Sequence, residues 1–144
     1  MVRMVDVGGK PNVPRMAIAS GFIRLKPETI RKIKAREVPK GDVLAVAQTA
    51  AILAVKKTPE LLPLTHQIPI TSTNVDLKVE KSGIDVSVEV KSTGQTGVEM
   101  EALVGVASAL LTIWDMIKGM EKDEKGQYPT TLIKNIRVTK KVKG

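Results

Sequence analysis

The chain has 144 residues, the length of one ordinary domain, and its 42% hydrophobic and 26% charged content is that of a globular protein rather than a disordered one. It has no cysteine and one histidine, His66, which excludes disulfides, iron–sulfur clusters, a thiol nucleophile and a His-rich zinc site within one chain. The net charge of +8 points to a polyanionic partner, nucleic acid or a phosphorylated small molecule, although Lys and Arg enrichment also serves solubility and thermostability.

Residues 1–15, with Gly8-Gly9-Lys10-Pro11 and Pro14, read as an irregular arm. Met16–Leu25 suits a strand. Pro27 then opens a short helix to about Arg36, with Glu28 in its first turn and Ile30 and Ile33 as a narrow apolar stripe. Val38-Pro39-Lys40-Gly41-Asp42 is a break, and Asp42 is a good N-cap for a helix from Val43 to about Lys57. That helix is apolar nearly all round, so burial on several sides is expected. A proline-punctuated segment, 59–69, carries Leu64-Thr65-His66.

Two strands follow, 71–80 and 84–90, each alternating in Val, Ile and Leu, with Lys81-Ser82-Gly83 as the turn and Gly83 supplying an unusual backbone angle. Ser92–Gly97 reads as a small-residue loop, then Val98 to about Lys122 as a long helix started by a Thr96/Glu99 capping box. A polar connection, 121–129, leads to a final strand, 131–138, and a solvated tail, 140–144.

Setting one helix aside, the order is β-α-β-β-α-β, the ferredoxin-like pattern of an α+β fold: one four-stranded antiparallel sheet in one domain, 1–144, with helices on one face. The apolar rows on both hairpin strands suggest that the open face or an edge meets another subunit. No run of about 18 uninterrupted apolar residues occurs, and Met1–Asp6 has no signal-peptide pattern, so no membrane span and a cytoplasmic location are expected. Nucleic acid is not expected as the partner: Phe22, Trp114 and Tyr128 are the only aromatics, and single strands are gripped by stacked rings.

Four segments can carry chemistry. Ser92–Glu101 brings a glycine-bearing loop to a helix N-terminus, which offers N–H groups to an anion, whereas Glu99 and Glu101 favour accepting hydrogen bonds from a guanine-type ring edge. Asp115 and Lys118, three residues apart, share a helix face. They are either a surface ion pair worth under about 1 kcal/mol or a carboxylate orienting a proton-transferring lysine. Lys40 sits beside Gly41 in a turn just before a buried helix, and His66 lies between prolines that fix its backbone. Each also reads as ordinary surface chemistry.

Together these segments resemble the cyclic pyranopterin monophosphate synthase family, the C protein of molybdenum cofactor biosynthesis (MoaC). The matching residues are Met4-Val5-Asp6-Val7, Arg15 with Ala17 and Ala19, Lys40-Gly41-Asp42-Val43, Leu62-Pro63-Leu64-Thr65-His66, Thr93-Gly94-Gln95-Thr96-Gly97-Val98-Glu99-Met100-Glu101-Ala102-Leu103, and Trp114-Asp115-Met116 with Lys118. The resemblance implies a lyase that converts 3′,8-cyclo-7,8-dihydroguanosine triphosphate to cyclic pyranopterin monophosphate with release of pyrophosphate. It implies a homohexamer, a trimer of dimers. It makes Asp115, Lys118 and Lys40 catalytic, Leu64, Thr65, His66, Met100 and Glu101 substrate-binding, and Lys56 and Arg15 basic contacts to the triphosphate. No metal ligand and no cofactor is implied, with room for a magnesium ion on the triphosphate. Thr65 stands where many members carry Cys, Trp114 where Tyr is frequent, and the Gly-Gly-Lys-Ser type tail is absent.

The reaction needs proton transfers and phosphate displacement but no redox step, which lysines can supply. A lysine among other cations is expected to have its pKa lowered, so that it serves as base as well as acid. Glu101 and Asp115 are 14 residues apart on one helix, roughly 21 Å at about 1.5 Å per residue. That is long for one bicyclic ring, so a site shared between two subunits is expected. A small RNA-binding module and a self-assembling structural protein are the alternatives.

Overall fold

A computed structural model describes all residues, Met1–Gly144. Its elements are β1 (Val13–Arg24), α1 (Pro27–Lys34), α2 (Val43–Lys56), α3 (Thr58–Leu61), β2 (Ile70–Val79), β3 (Gly83–Gly94), α4 (Glu99–Glu121) and β4 (Leu132–Lys143). The strands form one antiparallel sheet in the order β2-β3-β1-β4, the ferredoxin-like order.

Alternation decides which face is covered. Ala17, Ala19 and Ile23 of β1 pair with Val90, Val88 and Ile84 of β3, and all six point at α2 and α4 and are fully buried. Val75, Leu77 and Val79 of β2 join the same core. Small residues let the two long helices close on each other: Ala47, Ala51 and Ala54 line α2, and a Cβ on Gly105 of α4 would lie 2.9 Å from Val55 Cγ2 and 3.2 Å from Val88 Cγ1. By length and composition α4 could cross a membrane, but half of its most apolar window is buried in this core.

Asp42 caps α2 as expected, its carboxylate accepting from Ala45 N–H at 3.1 Å. α1 has no such cap of its own. Its N-terminal amide, Lys26 N–H, donates to Glu121 at the far end of α4 (3.1 Å), and Thr29 Oγ1 and Thr131 Oγ1 donate to the same fully buried carboxylate. Glu121→Ala strands these donors, so unfolding is expected to be easier by about 3 kcal/mol. A denaturation midpoint unchanged from the parent protein would contradict this.

Several expectations are corrected. The residues expected as a tail, 140–144, are mostly strand: Lys140, Lys141, Val142 and Lys143 pair with Ile18, Ala17, Met16 and Arg15. β4 lies at the sheet edge, so it needs no apolar row, and lysines along an edge oppose pairing with other chains. Two register shifts and a positive φ of 61° at Asn135 further hide its alternation. β1 starts at Val13, inside the expected arm, and β3 runs on through the expected loop to Gly94. The capping box does not form: the N-cap of α4 is Val98, without a side-chain bond. Gly83 does not have a positive φ; it is needed because any Cβ there would collide with Ile23 of β1.

The hairpin's apolar rows face the helices, so the open face of β2 and β3 is polar. Exposed apolar side chains lie instead on the outer faces of the helices, at Val46 and Leu53 of α2 and Leu111 of α4, and on the edge strand β4, at Ile136, Val138 and Val142, so α2 is not buried all round.

Candidate active site

The first cluster forms at the C-terminal end of α4. Ile113, Met116 and Ile117 are buried and fix the rotation of the helix, which turns Asp115 and Lys118 outward. Lys118 Nζ lies 2.9 Å from Asp115 Oδ1. Lys40 arrives from a tight turn closed by Gly41 N–H donating to Val38 O at 3.0 Å, with Val38 buried and Gly41 at φ 116°, a conformation suited to glycine. The turn delivers Lys40 Nζ to 3.4 Å from Asp115 Oδ2 and 3.2 Å from the Asp115 carbonyl. The three sequence-derived catalytic candidates thus meet within one chain, on the surface, with roughly half of each side chain exposed.

The charges set the protonation states. Hydrogen bonding to Lys118 and its charge, then that of Lys40, hold the Asp115 carboxyl below its ordinary value. The same pair raises Lys118 above its ordinary value, which corrects the expectation of a lowered lysine: the neighbouring carboxylate outweighs the second cation. The sign follows directly. The pair's contribution to stability is present above the ordinary aspartate pKa and is lost as pH falls through the depressed one. Lys118→Met is expected to move the Asp115 titration, read by carboxyl carbon NMR, upward. An unmoved titration would assign the shift to something else.

The second cluster lies at the other end of α4. A cleft of about 260 Å³ gathers Leu64, Thr65, His66, Met100 and Glu101, and Lys56 joins Glu101 and Gln67 in an adjoining cleft of about 210 Å³. Glu101 is buried, and this burial raises its pKa, with the nearby Glu99 charge adding to the effect. Thr65 Oγ1 donates to Leu62 O at 2.7 Å, which closes the turn that presents His66. His66 Nε2 donates to Val5 O at 2.7 Å, so a neutral ring keeps its proton there and leaves Nδ1 as an acceptor. A larger cleft of about 540 Å³ lies alongside, between the arm and Gln95 and Thr96.

Arg15 stands apart from both. It is 6% exposed, its Nε donates to Gly94 O at 2.9 Å and its Nη2 to Pro11 O at 3.4 Å, and it lines neither cleft around His66. Single-residue reading missed the arm as a wall of the site. Lys10 and Val5 line the cleft with His66, and Gln95 Nε2 holds the arm through Gly8 O and Lys10 O. It also missed the pairing of Glu99 with Lys141 at 3.4 Å, which needed β4 to extend past 138. No three His, Asp or Glu side chains converge as a metal site would require.

α4 is continuous from Glu99 to Glu121, so Glu101 and Asp115 are roughly 21 Å apart along it. The two clusters therefore do not share a cavity within one chain.

The MoaC family model matches residues 4–144. A protein of Archaeoglobus fulgidus described as a probable cyclic pyranopterin monophosphate synthase is 60% identical over 143 residues, 99% of this chain and 92% of that one. Proteins with the same description from Methanococcoides burtonii (60%, covering 97% of this chain and 88% of theirs) and Aeropyrum pernix (55%, covering 98% and 97%) are similar over comparable spans. With this match running nearly end to end, the chain belongs to the MoaC family, enzymes of molybdenum cofactor biosynthesis.

Proposed function

We propose that this chain is a cyclic pyranopterin monophosphate synthase, a cytoplasmic lyase acting on 3′,8-cyclo-7,8-dihydroguanosine triphosphate and releasing pyrophosphate. The observation that carries this reading is the convergence of two lysine ammonium groups, Lys40 and Lys118, on the single carboxylate of Asp115. All three are set by backbone that cannot easily shift: a buried helix and a glycine turn.

In this mechanism Lys118 enters protonated, because Asp115 stabilises its ammonium form, and donates a proton to the rearranging ring system. Lys40, held by longer contacts to Asp115, is the freer amine and exchanges the complementary proton. Asp115 keeps both in place and balances their charge. The chemistry is proton transfer, ring opening and displacement at phosphorus, which these groups can assist without a cofactor. Lys56 offsets the charge of the triphosphate and the departing pyrophosphate, and His66 joins it only in its protonated form, with Nδ1 then donating. Arg15, turned away from both clefts, has no such contact within one chain. A magnesium ion, where present, rides on the phosphate oxygens. Leu64, Thr65, Met100 and Glu101 bind the ring, the raised pKa of Glu101 suiting it to donate as well as accept a hydrogen bond.

Because the two clusters are far apart in one chain, the working unit is a homo-oligomer, a trimer of dimers, with sites at a dimer interface. Binding and turnover of the cyclised GTP test this reading. Saturable binding with stoichiometric pterin and pyrophosphate is expected; no binding by a folded protein would refute it, and binding of RNA in its place would favour a nucleic-acid module.

A further inference from the structure

The connection between α4 and β4 is polar and carries the chain's single tyrosine, yet it is not loose. Asp123 Oδ1 accepts the amides of Lys125 and Gln127, each at 2.9 Å, and Asp123 N–H donates to Gln127 O at 2.9 Å. Gly126, at φ 75°, makes the reversal and donates to Asp123 O at 3.0 Å. Both ends are clamped, because Glu121 on one side accepts from Thr131 Oγ1 on the other at 2.6 Å. A loop held this way presents its next side chain in a fixed position.

That side chain is Tyr128. Its ring meets Trp114 edge to face, centroids 5.1 Å apart at 66°. Trp114 and Lys118 are four residues apart on α4, so they share a face one turn apart. Tyr128 is half-buried, and its seat on Trp114 brings its ring to the face of α4 that carries Lys118. The other charged groups around Lys118 are Asp115, Glu121 and Lys122 of α4 and Lys40 of the glycine turn. Glu121 is already bonded to the backbone and threonines, so only Asp115 competes for the ammonium.

We propose that Tyr128 is a positioning residue for Lys118: its ring, seated on Trp114, covers the aliphatic stem of the lysine and confines the ammonium to Asp115. This rests on Lys118 being the proton donor, and it would apply to the enzyme before any substrate binds. The ring acts, not the hydroxyl. Phenylalanine should therefore replace tyrosine, whereas alanine should free the lysine and weaken its pairing with Asp115, lowering its pKa toward the ordinary value.

The test compares Tyr128→Phe, Tyr128→Ala and the parent protein by competitive acetylation of lysines, mapped by mass spectrometry, without substrate. Lys118 is expected to react about threefold faster in Tyr128→Ala at pH 9, because a freed ammonium loses its proton more readily. It should react at the parent rate in Tyr128→Phe, while Lys122 and Lys125 keep their rates in both. In turnover, the alkaline limb of kcat moves to lower pH in Tyr128→Ala only. Lys118 reactivity unchanged in Tyr128→Ala, or raised equally in Tyr128→Phe, overturns the proposal. So does a general rise across all three lysines, which marks a loosened loop. Trp114, the only tryptophan, reports by its fluorescence whether the ring keeps its seat in Tyr128→Phe. Since acetylation needs no catalysis, failure of the proposed reaction is read separately, by loss of turnover in the parent protein.

Discussion

Lys118→Ala is expected to abolish turnover, by about 10³-fold or more in kcat, while the protein keeps its fold and its ability to bind the cyclised GTP. The fold should survive because the side chain is 44% exposed and its ion-pair partner is a surface carboxylate. Alanine is the best helix former, and the adjacent Met116 and Ile117 still anchor the turn. The loss should fall on kcat rather than KM, since the triphosphate contacts lie at the other end of the helix. Lys40 cannot substitute, because its turn holds it against the opposite carboxylate oxygen, Oδ2. Circular dichroism and equilibrium binding give the controls. A variant that turns over within tenfold of the parent would remove Lys118 from the proton-transfer step and leave the Asp115 pair as a surface ion bridge.

The core of this fold was legible because its signals are local. Pro27 and Asp42 mark helix starts through rules that involve only neighbouring residues, and the alternation of Ile84, Val86, Val88 and Val90 records one buried face. Elements governed by distant partners were not legible. The lysines of β4 look like a tail because an edge strand has no need of apolar periodicity, and what makes them a strand is the unpaired edge of β1, more than a hundred residues earlier. The capping box failed for a similar reason. The carboxylate of Glu99 is drawn to Lys141, a contact that exists only once β4 is in place.

The site divides along the same line. Spacing exposed the Asp115–Lys118 pair, because i and i+3 are neighbours on any helix. Lys40, 75 positions away, stood out by its glycine turn, but its catalytic role came through resemblance; nothing in its turn says where the ammonium will go. The seating of Tyr128 on Trp114 was equally hidden, since it depends on how Asp123 and Gly126 fold the loop back.

Mixing two inactive proteins, Glu101→Ala and Asp115→Ala, is expected to restore about a quarter of the parent activity after subunit exchange. The reason is geometric. One site needs both the ring-binding cleft around Glu101 and the lysines around Asp115, yet one straight helix holds these two residues apart. Two subunits related by a two-fold axis can lay the start of one α4 beside the end of the other, and each interface then holds two equivalent sites. In a mixed dimer one site inherits both substitutions and the other inherits neither. Random pairing makes half the dimers mixed, and half the sites in those are intact. The exposed apolar residues on the helices, Val46, Leu53 and Leu111, are the surface available for such a contact. Glu101→Ala is a suitable partner because Glu101 lines two open clefts, so truncation widens an opening rather than leaving a sealed void. If each subunit instead built its own site, every site in the mixture would carry one defect, and activity would stay at the level of the inactive parents. Recovery that rises with exchange time and saturates near a quarter therefore separates a shared site from a self-contained one.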